Sequence, residues 1–274
     1  MVEKILAFWS FDFVRNALLA GSLAAVLGSA LGYFVILRRL GFAAHALGHI
    51  GFTGATGAAL LSLTPMQGML AIGAAAGAAM GLSGNRLNRS ELAIGMVLSM
   101  ALGAGTLFLA LYKGFAGQAS AILFGNIFGV SPAQVSQTFW LALGALIALA
   151  AISRRLLFSS VQPDLAEARG ISPTILSTVF LVLLAVGVTL ASQVVGILLV
   201  FTLVIGPAGI AVRLMPGFWS AQAAAAALGL FAVWAGIFLS CLTNLPPSFW
   251  ITLILFLAYL GAETVARFYL QNER

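Results

Sequence analysis

The sequence predicts an all-α, polytopic membrane protein of eight or nine transmembrane helices, and three observations carry that expectation. First, 62% of the 274 residues are hydrophobic and only 7% are charged. A soluble domain carries about 25% charged residues, so this chain could not cover a water-facing surface. Second, the apolar runs are continuous over lengths near the ~20 residues that a membrane helix needs. A β-barrel would instead alternate apolar and polar residues over ~10-residue segments. Third, the basic residues gather at the ends of the apolar runs, as the positive-inside rule expects.

Taken in order, residues 1 to 12 read as an interfacial segment, with Phe8, Trp9 and Phe11 at headgroup level. No small-residue cleavage pattern precedes the first span. That span covers Phe13 to Leu37 and is closed by Arg38 and Arg39. The second is Gly41 to Leu61, which holds both histidines of the chain. A turn at Pro65 leads to a Gly/Ala-rich third span, Met66 to Leu82. The polar loop Asn85 to Glu91 separates it from a fourth, Leu92 to Leu111. The segment Ala121 to Pro132 is too short to cross at about 1.5 Å per residue and reads as a re-entrant or interfacial turn. A fifth span, Val135 to Ile152, ends at Arg154 and Arg155. Phe158 to Ser172 is the most polar interior stretch and lies outside the membrane. Within it, Pro163 starts a short helix, Asp164 suits its first turn and Gly170 its stop. Two spans follow, Pro173 to Ala191 and Val194 to Leu214, divided near Ser192 and Gln193. Pro207 should kink or break the second. Phe218 to Cys241 and Phe249 to Phe268 complete the set as one domain.

The loops after spans one, three, five and seven hold Arg38, Arg39, Arg86, Arg89, Arg154, Arg155, Arg169 and Arg213, whereas the opposite loops hold Lys113 alone. This places the first group and the C-terminus in the cytoplasm. Lys4 and Arg15 fall on the outer side of this scheme. The net charge of +6 therefore reflects membrane orientation, and no nucleic-acid partner is expected. The single cysteine, Cys241, excludes an intrachain disulfide and reads as a small apolar span residue.

The candidate chemistry lies in the second span. His45 and His49 are four residues apart, which on a helix places the two imidazoles on one face, one turn apart. Phe52 and Thr56 continue that stripe on an ideal helix. The bland reading is helix–helix hydrogen bonding; the sharper one is a metal path. An intramembrane metalloprotease would need Glu between the histidines, where Ala46, Leu47 and Gly48 stand. No phosphate-binding Gly-x-x-x-x-Gly-Lys loop is present, and the only lysines are Lys4 and Lys113. The chain is therefore not expected to be an enzyme; ATP-driven transport would need a separate ATPase.

Several stretches together resemble one family, the metal ABC-3 permeases of zinc/manganese-type ABC importers. ILRRLGFAAHALGHIGFTG (36–54), SELAIGMVLSMALGAG (90–105), ILFGNIFGVSP (122–132), QPDLAEARGI (162–171) and ASQVVGILLVFTLVIGPAGIAVRL (191–214) match its motifs in order over most of the chain. The resemblance implies a plasma-membrane permease (the inner membrane of a bacterium). It implies a homodimer working with two ABC ATPase subunits and an external metal-binding protein. No permanent cofactor is implied; the metal is cargo. The family's Asp-x-x-x-His pair lines the metal path, so His49 matches its His and His45 stands where Asp is usual. The 158–172 loop matches the ATPase-docking segment, with Asp164, Glu167 and Gly170 as contacts. Thr56 and Glu91 are possible supporting residues, Glu91 standing where the family carries Asp. Thr53 replaces a common Pro.

Neutral imidazole suits Zn²⁺ and carboxylate oxygen suits Mn²⁺. His45 in place of Asp thus favours zinc as cargo, with manganese or iron as the alternative. Two rival readings are an ion-gradient transporter and a permease for a metal chelate. The first would want a buried carboxylate, and the mid-span regions hold no Asp or Glu. The second would tolerate loss of both histidines.

Overall fold

The structure is a computed structural model that describes residues 11–83, 91–111 and 121–272. Most of the expected N-terminal interfacial segment and the loops 85–90 and 112–120 lie outside the described residues. The described residues form helices and turns without strands. The helices are α1 (Asp12–Leu37), α2 (Gly41–Leu60), α3 (Pro65–Leu82), α4 (Glu91–Leu111), α5 (Pro132–Val161), α6 (Pro163–Ala168), α7 (Pro173–Val195), α8 (Val200–Leu214), α9 (Phe218–Thr243) and α10 (Pro247–Asn272). A 3₁₀ turn, Ile127–Gly129, lies between α4 and α5.

Five of these helices begin at a proline, where the missing N–H costs nothing. Before α3 and α5 the preceding hydroxyl forms a full capping box. Gln67 N–H donates to Thr64 Oγ1 (3.3 Å) and Thr64 N–H to Gln67 Oε1 (3.0 Å); Ser131 and Gln134 repeat the arrangement. Asn244, in the left-handed region at φ 57°, closes α9.

Seven helices are long and apolar enough to cross a membrane. The other two long ones are α2, diluted by glycine, alanine and histidine, and α8, with 15 residues and a length of about 22 Å. Together these make nine long helices among the described residues. Central α1 packs against α5, α7, α8 and α9, while α2 packs between α3 and α4 and α3 packs on α7. Leu27, Leu31, Phe34, Phe180 and Leu184 are fully buried where these helices meet. Large exposed apolar residues such as Met96, Met100, Ile147 and Phe231 are at home against lipid tails. Close approach of α2 and α3 needs Gly54 and Gly68, since a Cβ on either would overlap the backbone of the other.

Three boundaries differ from expectation. Helix α5 does not stop at Ile152 but runs through Arg154 and Arg155 to Val161, because a helix need not end where it leaves the hydrocarbon. Pro207 lies inside an uninterrupted α8. In a membrane bundle, neighbouring elements compensate the one lost backbone bond. The division between the two spans falls at 196–199, a few residues beyond Ser192 and Gln193.

That division is built against the short segment before α5. Ile197 and Leu198 N–H groups donate to the carbonyls of Ile122 and Leu123 (both 3.2 Å), and Asn126 N–H donates to Gln193 O (3.4 Å). Asn126 Oδ1 in turn accepts from Gly129 N–H at 3.2 Å, capping the 3₁₀ turn. Gly125 (φ 80°) and Gly196 (φ 81°) sit back to back at this crossing, each in a conformation that penalises a side chain. Gly196→Ala should therefore lower unfolding stability of the purified chain in detergent by about 2–4 kcal/mol, combining backbone strain with overlap. Gly95, which has open space around it, serves as the control: Gly95→Ala should leave the melting temperature unchanged or slightly raised.

Candidate metal path and cytoplasmic docking loop

Helix α2 folds because Gly41 to Leu60 contains no proline and no charge, and its alanines and glycines let neighbours approach closely. Most of it is buried, including Ala46, Leu47, Gly48 and Ile50. His45, His49, Thr53 and Gly57 form a partly open stripe along it. The two histidine rings lie 4.5 Å apart, and their Nε2 atoms are separated by 3.2 Å. As a hydrogen bond, one ring donates to the other. With both protons on Nδ1, both Nε2 atoms would be free to accept or to ligate.

That spacing suits a shared cation. Two nitrogens on tetrahedral zinc at about 2.05 Å sit about 3.3 Å apart, and those on an octahedral right-angled edge about 2.9–3.1 Å apart. At 3.2 Å the pair fits either geometry. No cluster of three or more His, Cys, Asp or Glu occurs among the described residues.

The break between α7 and α8 fixes the surroundings of the pair. Gly48 packs against Val200 of α8 and lies near Ile197 O and Val188. The Phe201 ring stands edge-on to His45, with centroids 6.0 Å apart. Nothing in the sequence around Phe201 marks it for this place, because its position comes from the α7–α8 break. Beyond His49 the stripe is bridged by α4. Thr53 Oγ1 donates to Ala101 O, and Phe52 is buried where Gly105 passes over its ring. Thr56 is buried too, its hydroxyl donating to Phe52 O at 2.9 Å. Thr53 thus lies on the open stripe, and Thr56 lies away from it. Glu91 is the first residue of α4; its side chain lies outside the described residues.

On the cytoplasmic side of the orientation scheme, Arg38 Nη2 donates to Ser177 Oγ at 2.6 Å and ties α1 to α7. The polar loop forms α6, which holds itself down by one residue: Ala166 is fully buried, while Asp164, Glu167 and Gly170 are exposed. Gly170, at φ 76°, ends the helix, and the Arg169 guanidinium lies 5.2 Å from the centre of the Phe158 ring. A cavity of about 610 Å³ beside it is lined by Arg155, Gly170, Ile171 and Leu176. On the opposite side, Gln193 lines a pocket of about 240 Å³ with Asn126, Gln137 and Met69.

Residues 10–266 match the profile of the ABC 3 transport family. The chain belongs to that family. It is a multi-pass protein of the bacterial plasma membrane. Among its relatives, the manganese import system permease protein ScaB of Streptococcus parasanguinis is 27% identical, covering 89% of this chain and 88% of that protein. The manganese transport system membrane protein MntC of Halalkalibacterium halodurans is also 27% identical, over 89% and 84% of the two chains. An uncharacterized Synechocystis membrane protein is 26% identical over 95% of this chain and 93% of its own. The solved structure of PsaBC from Streptococcus pneumoniae superposes with a TM-score of 0.86 at 26% identity, covering 96% of this chain and 95% of that one. An ABC transporter in an inward-facing conformation shares the fold, with a TM-score of 0.69 at 17% identity over 92% and 85% of the chains. The chain is thus an ABC-importer permease, consistent with its lack of a phosphate-binding loop.

Proposed function

We propose that this chain is the membrane-spanning subunit through which an ABC importer moves a divalent transition-metal ion, with His45 and His49 as ligands on the path. The observation that supports this most directly is the pair of Nε2 atoms 3.2 Å apart beside the α7–α8 break. A second copy of the chain, meeting the first across a twofold axis, would complete the ligand set with its own pair. An external metal-binding protein delivers the ion, and an ATPase supplies the work. An incomplete site per chain serves transport, because a tight closed site would not release its ion.

For the metal, the manganese names of the relatives support manganese and speak for the alternative over the zinc expected from the histidines. One observation favours zinc as a second reading. His45 stands where the family resemblance implies Asp, and imidazole nitrogen suits zinc better than the hard, oxygen-preferring manganese.

The docking role is proposed for Asp164, Glu167 and Gly170. Two exposed carboxylates on a helix anchored by buried Ala166 form a rigid knob on the cytoplasmic side of the orientation scheme.

Uptake of radiolabelled manganese and zinc by cells making the complete transporter tests the path. His45→Ala and His49→Ala should each lower uptake about tenfold or more, and unchanged uptake in both would remove the histidines from the path. His45→Asp should move the manganese-to-zinc ratio toward manganese if the present pair favours zinc. For the knob, Asp164→Arg should lose the ATPase on purification or leave its hydrolysis uncoupled from uptake. Intact assembly with full uptake would assign the contact elsewhere.

A further inference from the structure

A large cleft lies apart from the histidine pair. It has a volume of about 690 Å³, within the roughly 300–1,000 Å³ of ordinary ligand sites. Three helices form it. The C-terminal half of α1 supplies the floor with Val26 and Ala30, the C-terminal half of α5 one wall with Leu149 and Leu157, and the start of α9 the other with Ala226. By the distribution of arginines, all three segments lie in the cytoplasmic half of the membrane.

The rim differs from the walls. Arg154 is exposed at the mouth, and Trp219, 80% exposed, stands near it. Among the described residues the ion pairs are Arg15–Asp12 and Arg213–Glu263, so Arg154 has no carboxylate partner there. An apolar trough with an exposed guanidinium and an indole at its cytoplasmic end complements one kind of molecule: an acyl chain ending in an anionic headgroup. A tryptophan at that level suits the headgroup region.

We propose that this cleft binds an anionic phospholipid of the inner leaflet, its acyl chain on Ala30, Leu157 and Ala226 and its phosphate on Arg154. A second copy of the chain is the weaker occupant. Seated symmetrically it would bring another Arg154 to the same seam and add charge without a partner.

Native mass spectrometry of the complete transporter tests the assignment, with phosphatidylglycerol and phosphatidylcholine of matched acyl chains titrated against detergent-purified protein. Phosphatidylglycerol should bind in preference, and Arg154→Gln should weaken it about fivefold, the share of one cation near a membrane surface. Arg154→Lys should keep the preference. Arg154 is exposed, so neither change threatens the fold. Equal binding of both lipids, or an Arg154→Gln loss equal for both, overturns the proposal. A disulfide between copies through Ser153→Cys, in a Cys241→Ala background and in native membranes, would mark the cleft as a protein seam and also overturn it.

Discussion

In hydrocarbon every backbone N–H and C=O must find a partner inside the protein, and the fold depends on how this chain meets that constraint at the interruption between α7 and α8. The residues at 196–199 leave the helix, and the segment at 122–126 supplies their hydrogen bonds. Two glycines with positive φ make the crossing tight enough for this. The consequence reaches the candidate site. Because α8 begins at Val200, Val200 and Phe201 lie against Gly48 and His45. A sequence feature far from the histidines in the chain thus defines what surrounds them.

The pair itself is a local product of helix geometry, whereas its environment is a tertiary one. Spacing of four residues brings the imidazoles together wherever α2 is a helix. Which residues continue the face is decided by α4, which buries Phe52 and engages Thr53. On an ideal helix Thr53 and Thr56 both lie near the histidines, so only packing could distinguish them. Phe201 had no signal at all, since its position comes from the α7–α8 break.

The spans were legible because length, apolarity and flanking arginines are each set by the bilayer. Helix ends outside the hydrocarbon were less so. Arg154 and Arg155 mark the membrane boundary, yet α5 continues through them, since a helix that has already nucleated extends at little cost through good helix formers. Pro207 does not break α8, because the penalty that breaks an isolated helix is smaller within a packed bundle. The short helix in the polar loop was readable from Pro163, Asp164 and Gly170, whose local preferences agree with the structure. The metal was least readable, because a 3.2 Å nitrogen pair accommodates more than one coordination geometry.

The shortness of α8 has an electrical meaning. At about 22 Å it falls short of the ~30 Å hydrocarbon thickness. A transmembrane voltage drops mainly across the dry part of the path, so the field is steepest where the protein insulator is thinnest. At about 2.3 kcal/mol per elementary charge per 100 mV, a doubly charged ion moving inward gains about 4.6 kcal/mol. On the proposed path, an ion passing His45 beside the break before Val200 would collect part of that gain there.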